Sequence, residues 1–271
     1  MDVTALETKG FVSVEYPLDL YLSVEKAMGA WEYFCELPKE EKVKLAGGDR
    51  LHDFGYMIRE DEGPRADKKE LFHVSMNDMS ELYEKARCIS DRRALRFIDY
   101  VETLILGSQV IVQEFARGIE GAYHLNGFEQ EVMESKDRWN FRYIHYFGGE
   151  VLAHAHADRG GFTLHLYESA AGGEYLRFDR VWRPWPINRK RTIIFPSMGM
   201  QFRSTGKIKA LWHRVRANPQ TIQKGRFAMV AFIDFTMSHK YDDSKRRLQD
   251  FEEGFNYDMP FAEFQKLFTP T

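Results

Sequence analysis

A series of short β-rich segments after Asp137 limits the possible folds of this chain more than any other feature. The segments are rich in β-branched or aromatic residues and are separated by turns that contain Gly, Pro or Asn. They cover residues 138–147, 162–168, 174–182, 191–195, 210–216 and 226–235. Six or more strands of this length and spacing favour an antiparallel barrel or a double-sheet jelly roll.

Helices are predicted on both sides of this series, most of them from apolar residues that recur at helical spacing, whereas the one at 239–253 is polar. The predicted helical ranges are 18–34, 79–118 (with Gly118 as its end), 127–135, 239–253 and 261–268. A first strand is predicted at 10–16, and the charged stretch at 59–70 is predicted to be a loop. No repeat or linker divides the chain. We therefore expect one domain, residues 1–271, with a helical N-terminal region (1–137), a β core (138–236) and C-terminal helices (237–271).

The charge and cysteine content exclude several classes of protein. Lys and Arg total 38 against 41 Asp and Glu, which gives a net charge of −3 and argues against nucleic acid or a membrane surface as the partner. Cys35 and Cys88 are too few for a disulfide framework, so a reducing, cytoplasmic setting is expected. No apolar stretch approaches the ~20 residues of a membrane span. The expected partner is a small-molecule substrate, and the oligomeric state cannot be predicted.

The sequence His154-Ala155-His156-Ala157-Asp158 places three polar side chains on one face of a strand, because side chains at i, i+2 and i+4 point the same way. A His-x-Asp pair alone often caps a turn or faces solvent. Together with the distant His213, however, His156 and Asp158 form a set of two histidines and one carboxylate. Such a set binds one face of an octahedral metal and is typical of non-heme Fe(II) oxygenases. His154 is predicted to be a neighbour of this site rather than a ligand.

Six segments, spread over nearly the whole chain, have a recognisable pattern: FCELPKEEKVKL (34–45), FGY (54–56), DKKELFHV (67–74), HAHADRGGFTLHL (154–166), TGKIKALWHRV (205–215) and GRFAMVAF (225–232). Together these segments resemble the isopenicillin-N-synthase-like group of Fe(II)/2-oxoglutarate-dependent dioxygenases. The resemblance implies a mainly β fold with flanking helices and a double-stranded β-helix (jelly-roll) core. It also implies Fe(II), 2-oxoglutarate and O2 as cofactors, with His156, Asp158 and His213 as the iron ligands.

The resemblance further implies two residues that bind 2-oxoglutarate. Arg226 matches the arginine that pairs with the distal carboxylate, a role that suits a permanently charged, bidentate guanidinium. Tyr146 aligns with a tyrosine that binds the cosubstrate through its hydroxyl. The chain departs from the group's pattern at Ala228, where a serine usually adds a hydroxyl donor, and at Ile144 and Phe147, where the group has Asn and Pro. These departures bear on the cosubstrate contacts and leave the metal ligands unaffected.

The expected reaction is hydroxylation of an unactivated C–H bond in a small metabolite, such as an amino acid or a natural-product intermediate, with release of succinate and CO2. Desaturation or ring closure would use the same chemistry. One alternative is an iron-dependent oxidase that does not use 2-oxoglutarate, as isopenicillin N synthase does. The other is a non-catalytic, metal-binding barrel.

Four further polar residues have predicted roles. Arg142 and Arg203 are candidate partners for a substrate carboxylate. His145 and His165 alternate with apolar neighbours and are predicted to be barrel residues that form hydrogen bonds within the protein.

Overall fold

A computed structural model of the protein describes residues 1–47, 54–59, 68–147, 151–186 and 188–235. Most of the predicted charged loop at 59–70 lies outside the described residues. The same is true of the predicted C-terminal segments at 239–253 and 261–268. The described part of the chain contains no helix that is long and apolar enough to cross a membrane.

The helices flank a β structure, as expected. The α-helices are α1 (Ala5–Lys9), α2 (Leu18–Cys35), α3 (Lys39–Lys42), α4 (Met79–Arg87), α5 (Arg92–Tyr123), α6 (Phe128–Glu134), α7 (Met198–Arg203) and α8 (Pro219–Lys224). The first six strands are β1 (Val12–Glu15), β2 (Ala46–Gly47), β3 (Phe54–Arg59), β4 (Lys69–Val74), β5 (Asn140–Tyr146) and β6 (Val151–His156). The others are β7 (Phe162–Glu168), β8 (Gly173–Leu176), β9 (Trp182–Pro184), β10 (Arg191–Pro196), β11 (His213–Arg216) and β12 (Arg226–Ile233).

Within the described residues the strands form two antiparallel sheets. The larger sheet has the order β1-β10-β7-β12-β5-β4-β3-β2, and the smaller has the order β6-β11-β8-β9. One apolar cluster contains Ile144 and Ala228 of the larger sheet together with Leu152 and Val215 of the smaller. The two sheets therefore pack face to face, which confirms the expected jelly-roll core. Four strands from the region before residue 138 also join the larger sheet, so this region is not only helical.

Two predicted elements differ from the structure. The segment predicted as one strand at 174–182 is a hairpin of β8 and β9, and its turn contains Arg180 at a positive φ of 63°. The helical region predicted at 79–118 is two helices, α4 and α5. Helix α5 does not end at Gly118 but continues to Tyr123, where His124 at φ 55° terminates it. Gly118 instead permits close packing, since a Cβ there would lie 2.7 Å from the Met1 carbonyl oxygen.

Helices α2 and α5 cover one face of the larger sheet. Their aromatic side chains pack against those of β4 and β5, for example Phe72 against Phe97 at 4.9 Å and Phe97 against Tyr143 at 5.1 Å between ring centroids. Along β12, Met229 points into this helix-covered core, whereas Ala228 points toward the smaller sheet. Because successive side chains of a strand point to opposite faces, one face of β12 packs in the helix-covered core and the other faces the space between the sheets.

A buried polar cluster stabilises the junction of α2, α3 and the larger sheet. Glu70, 4% exposed, accepts hydrogen bonds from Lys42 Nζ at 2.6 Å and Tyr56 Oη at 2.8 Å, and it contacts His145 Nδ1 at 2.8 Å. Burial raises the pKa of Glu70, but the hydrogen bonds from His145 and Lys42 outweigh it and lower the pKa to about 2. The carboxylate is therefore strongly favoured in the folded state.

This lowered pKa predicts a loss of stability in acid. The folded-state pKa of Glu70 lies below the unfolded value of about 4.5, so its contribution is complete above pH 4.5 and is lost as the pH falls toward 2. The shift corresponds to up to about 3 kcal/mol. The difference in melting temperature between the native protein and Glu70→Gln should therefore be largest near pH 7 and nearly vanish by about pH 2. A difference that is independent of pH would contradict the assignment.

Candidate metal centre

The three predicted ligands lie together where β6 ends and β11 begins. His156 and His213 are directly opposite each other in this antiparallel pair, and Asp158 follows two residues after β6. The Asp158 Oδ1 atom lies 3.5 Å from His156 Nε2 and 3.8 Å from His213 Nε2. One ligand atom from each residue lies within 4.8 Å of the others. Strand pairing thus joins a local His-x-Asp pair to a histidine 55 residues further on.

The hydrogen bonds of the two histidines leave their Nε2 atoms free to face a metal. His156 Nδ1 lies 2.7 Å from the carbonyl oxygen of His154, and His213 Nδ1 lies 3.2 Å from that of Leu211. A carbonyl can only accept, so each Nδ1 must carry the proton. The lone pair of each ring is then on Nε2. Such backbone contacts are typical of metal-binding histidines, since they fix the tautomer and the ring orientation.

The charges of the set also suit a cation. Burial raises the pKa of Asp158, yet the charge of His213 and the hydrogen bond from His156 lower it overall, so the carboxylate is ionised. Burial lowers the pKa of His213 to about 4 despite the nearby Asp158. Its imidazole is therefore neutral near pH 7, as a ligand must be. For His156, burial lowers the pKa but the hydrogen bond and charge of Asp158 raise it overall.

The donor set fits a divalent iron ion. Two atoms that bind one metal at about 2.0–2.2 Å lie about 3 Å apart on adjacent octahedral positions and about 4.2–4.4 Å apart on opposite ones. The distances of 3.5 and 3.8 Å from Asp158 to the two histidines lie between these values, so one ion can contact Asp158 together with either histidine. Two imidazoles and one carboxylate on one side of an ion would leave the opposite positions open. His156 retains 48% side-chain exposure, so the site is reachable from solvent.

Thr163 and Ser197 support the carboxylate, and neither was predicted. Thr163, at the second position of β7, donates from Oγ1 to Asp158 Oδ2 at 2.6 Å, and Ser197 Oγ lies 3.2 Å from the same hydroxyl. This bond occupies Oδ2 and leaves Oδ1 directed at the histidines. Thr163 does lie in the segment FTLHL, five residues after Asp158, but only the turn between β6 and β7 reveals the contact.

Replacing Thr163 by Val should weaken metal binding while keeping the side-chain volume. Loss of a partner that orients a ligand typically costs ~10–100-fold in metal affinity. Competition between the protein and a chelator for Fe(II) or Mn(II) would measure this. Ser204→Ala is a matched control, because Ser204 is a buried hydroxyl that donates to the carbonyl oxygens of Gln201 and Ile208 rather than to a predicted ligand. Unchanged metal affinity in Thr163→Val would show that Asp158 needs no such support.

Aromatic rings surround one of the ligands. The ring of Phe195 lies 5.0 Å and that of Trp185 lies 6.4 Å from the His213 ring, centroid to centroid, and the two aromatic rings stack at 5.3 Å. Both residues are at least 95% buried. The two buried rings provide an apolar surface beside His213.

Arg226 and Tyr146, the predicted cosubstrate residues, are direct partners across β12 and β5. Arg226 is 1% exposed and Tyr146 is 5% exposed, and the guanidinium lies 5.7 Å from the centre of the tyrosine ring. On the other side of that ring, Lys69 Nζ lies at 5.5 Å. Two cations therefore flank Tyr146, in a part of the molecule suited to an anionic group.

Arg226 has an acidic partner that was not predicted from the sequence. Its Nη2 donates to Glu168 Oε2 in a short, buried ion pair, and its Nε donates to the Ala170 carbonyl oxygen at 3.1 Å. Burial raises the pKa of Glu168, but His165 and Arg226 lower it overall. Since Glu168 Oε2 also lies 3.5 Å from His165 Nε2, a carboxylate stands beside the arginine.

These contacts connect the arginine to the predicted metal ligands. His165 lies 6.0 Å from Trp185 between ring centroids, and Trp185 lies 6.4 Å from His213. Side chains therefore form a continuous series between the sheets, from His213 through Trp185 and His165 to Glu168 and Arg226.

The other polar candidates have different surroundings. His145 contacts Glu70 and stacks on Phe227 at 4.0 Å, so its prediction as a hydrogen-bonded barrel residue is confirmed. Arg203 does not reach the site, because it binds Glu131 through two hydrogen bonds of 2.9 and 3.0 Å on the helix side. The guanidinium of Arg142 lies 4.6 Å above the ring of Phe232, and its role toward a substrate stays a prediction.

Among the described residues, Cys35, Glu70 and His145 form a second group with metal-ligand spacing. Here, however, Lys42 Nζ lies 2.6 Å from the Glu70 carboxylate and already supplies the positive charge. Burial also raises the pKa of the Cys35 thiol, which disfavours the thiolate that a metal requires. This group is a structural ion-pair cluster.

Comparisons with known proteins agree with this geometry. Residues 139–234 match the family model of the 2OG-Fe(II) oxygenase superfamily. No curated protein sequence matches the chain significantly.

Solved structures share the fold at low sequence identity. A protein of Caulobacter crescentus assigned to the 2OG-Fe(II) oxygenase family has a TM-score of 0.74 at 20% identity, over 97% of this chain and 90% of its own. A full-length Neurospora crassa protein in complex with alpha-KG (2-oxoglutarate) and thymine has a TM-score of 0.73 at 17% identity, over 97% and 88%. The dioxygenase for auxin oxidation 1 of Arabidopsis thaliana, in complex with 2-oxoglutarate, has a TM-score of 0.68 at 17% identity, over 87% and 86%.

The matched range contains the three clustered residues that are predicted to bind the metal, together with Arg226, and the isopenicillin-N-synthase-like resemblance is consistent with it. The chain therefore carries, over residues 139–234, a domain of the 2OG-Fe(II) oxygenase superfamily, a family of dioxygenases whose cofactors are Fe(II), 2-oxoglutarate and O2.

Proposed function

We propose that this protein is a non-heme Fe(II)/2-oxoglutarate-dependent oxygenase that hydroxylates an unactivated C–H bond of a small metabolite, with release of succinate and CO2. The observation that supports this most is the set of His156, Asp158 and His213, whose ligand atoms lie within 4.8 Å of one another. Both histidines bond a backbone carbonyl through Nδ1, as metal ligands do. We infer that these three residues bind the iron.

The residues of the chain would position the reaction, and the bound Fe(II), with 2-oxoglutarate and O2, would supply the oxidative chemistry. Asp158 Oδ1 and the two Nε2 atoms face one point, which would leave the opposite coordination positions open for exchangeable ligands. Phe195 and Trp185 provide an apolar surface beside His213. Arg226 and Tyr146 would bind the distal carboxylate at the other end of the site.

A small-molecule substrate, such as an amino acid or a natural-product intermediate, is also part of this proposal. The structurally similar Neurospora crassa protein was crystallised with thymine, which is a small molecule. We further infer that residues 1–271 form one domain. Direct pairing of β1 with β10 and of β4 with β5 supports this, because it joins the N-terminal region to the core.

Succinate release tests the proposal. The iron-loaded protein should be incubated with 2-oxoglutarate and O2 against a library of amino acids and metabolites, and succinate and oxidised product should be measured together. We expect equal amounts of succinate and product with the true substrate. Samples without iron or without O2 serve as controls. Oxidation of a substrate without succinate would contradict the use of 2-oxoglutarate.

The second candidate function is an iron-dependent oxidase of the same fold that does not use 2-oxoglutarate. The contact that favours it is the ion pair between Arg226 and Glu168, because an arginine that already has a carboxylate partner is less available to a second one. Substrate-dependent O2 consumption that does not change when 2-oxoglutarate is added would support this candidate. Iron binding without O2 consumption for any substrate would instead indicate a non-catalytic barrel.

A further inference from the structure

We propose that Glu168 is a specificity-determining residue for the 2-oxo acid cosubstrate. By pairing with Arg226, it would reduce the preference of the site for a dicarboxylate such as 2-oxoglutarate over a 2-oxo acid with an uncharged tail. This inference rests on the proposed function, in which Arg226 receives the distal carboxylate.

The register of the sheet places Glu168 at the arginine. Glu168 is the direct partner of Ala228 across β7 and β12, and Arg226 lies two residues before Ala228 on the same face. Glu168 and Arg226 are therefore diagonal neighbours across the two strands. Because the alanine side chain is small, the Glu168 carboxylate can reach the guanidinium. The carboxylate then occupies the space that the hydroxyl of a serine at position 228 would take.

The ion pair is enclosed. Arg226 is 1% exposed and Glu168 is 7% exposed. Nη2 of the guanidinium donates to Glu168 Oε2, and Nε donates to the Ala170 carbonyl oxygen. A guanidinium has five N–H donors in a fixed fork. A second carboxylate can therefore still bind Arg226, but it must share the fork with Glu168.

The charges decide how favourable that sharing is. Arg226 and Glu168 together are neutral, so a dicarboxylate brings an additional negative charge to within contact of an existing one. Like charges in a buried site disfavour each other. Lys69, on the far side of the Tyr146 ring at 5.5 Å, compensates for part of this charge. The tail of a monocarboxylic 2-oxo acid brings no charge and experiences no such repulsion.

Two probes separate the effect of the distal carboxylate. 2-Oxoglutarate and 2-oxopentanoate have the same chain length and differ only in whether the tail ends in a carboxylate or a methyl group. Their dissociation constants for the full-length, Mn(II)-loaded protein can be measured by titration calorimetry, without turnover. In the native protein we expect 2-oxoglutarate to bind less than about tenfold more tightly than 2-oxopentanoate. A hydrogen bond to a charged group ordinarily increases binding affinity by ~10–100-fold.

Glu168→Gln should raise the preference for 2-oxoglutarate by about tenfold. Glutamine has the same size but no charge, so the distal carboxylate of 2-oxoglutarate no longer meets a negative charge beside Arg226. The affinity for 2-oxopentanoate should stay within about twofold. The matched control is Glu131→Gln, which removes the charge from another buried Arg–Glu pair, with Arg203, outside the site. The control should leave both dissociation constants unchanged.

An unchanged or weaker affinity of Glu168→Gln for 2-oxoglutarate would overturn the inference and would indicate that Glu168 only orients Arg226. If the variant fails to fold, as judged by its melting curve, the ratio of the two dissociation constants in the native protein still tests the inference. A native preference of about a hundredfold or more for 2-oxoglutarate would refute the inference. Failure of every variant to bind either 2-oxo acid would reject the proposed function as well, whereas tight binding that does not depend on Glu168 rejects this inference alone.

Discussion

The His213→Ala variant is expected to keep its fold and to lose iron-dependent turnover, with succinate release at least ~100-fold below that of the native protein. Of the three proposed ligands, His213 is the one that strand pairing contributes from far along the chain. Without it the iron would keep one imidazole and one carboxylate. The fold should survive because the side chain belongs to neither apolar cluster that joins the sheets and helices.

Succinate release, bound iron and the circular dichroism melting curve should be measured on the same samples. His154→Ala is the matched control, because His154 is an exposed histidine on β6 whose backbone carbonyl, and not its side chain, contacts His156. Its turnover should remain near the native value. Retained activity in His213→Ala would remove this residue from the metal site, whereas equal losses in both variants would indicate a general disturbance of β6 and β11.

The Arg226→Met variant should be destabilised by ~3–5 kcal/mol, because it leaves the Glu168 carboxylate buried without its cationic partner. For a domain of this size, this corresponds to a decrease in Tm of roughly 10 °C. The double variant Arg226→Met/Glu168→Leu should recover most of the loss, since it removes both charges and fills the site with apolar atoms. Thermal and urea unfolding of the two single variants and the double variant would give the coupling energy.

The comparison of the single and double variants is a double-mutant cycle. It needs neither metal nor cosubstrate, so it tests the ion pair itself. Equal stability of the native protein and Arg226→Met, or additive losses in the double variant, would show that the two side chains are not coupled. Arg189→Met, which removes an exposed guanidinium 3.6 Å from Glu25, is a suitable control and should change stability by less than ~1 kcal/mol.

The general fold could be predicted because local patterns in the sequence determine it. Alternation of apolar residues at a period of two specifies strands, and helical spacing specifies α2 and most of α5. Predictions from a single residue type were less accurate. Gly118 indicated a helix end, yet it lies inside α5, where the approach of Met1 leaves no room for a side chain. A glycine can serve either purpose, and only its neighbours in space distinguish them.

The ligand set could likewise be predicted, since His156 and Asp158 are two residues apart in the sequence and His213 follows at a spacing that resembles that of the family. The partners of these residues could not. Thr163 at Asp158 and Glu168 at Arg226 are ordinary strand residues in sequence. Their roles depend on which strands pair and on which register they adopt.

The sequence by itself thus determined the jelly-roll class of this protein through its strand pattern, and its resemblance to a known family indicated the cofactors and the residues proposed to bind iron. Only the tertiary structure decided the environment of those residues. It placed the two histidines opposite each other in β6 and β11, directed Oδ1 of Asp158 at both through the bond from Thr163, and set a carboxylate against Arg226. The physical reason is that hydrogen bonds and ion pairs act over a few ångströms in space, between residues that strand pairing brings together from distant parts of the chain.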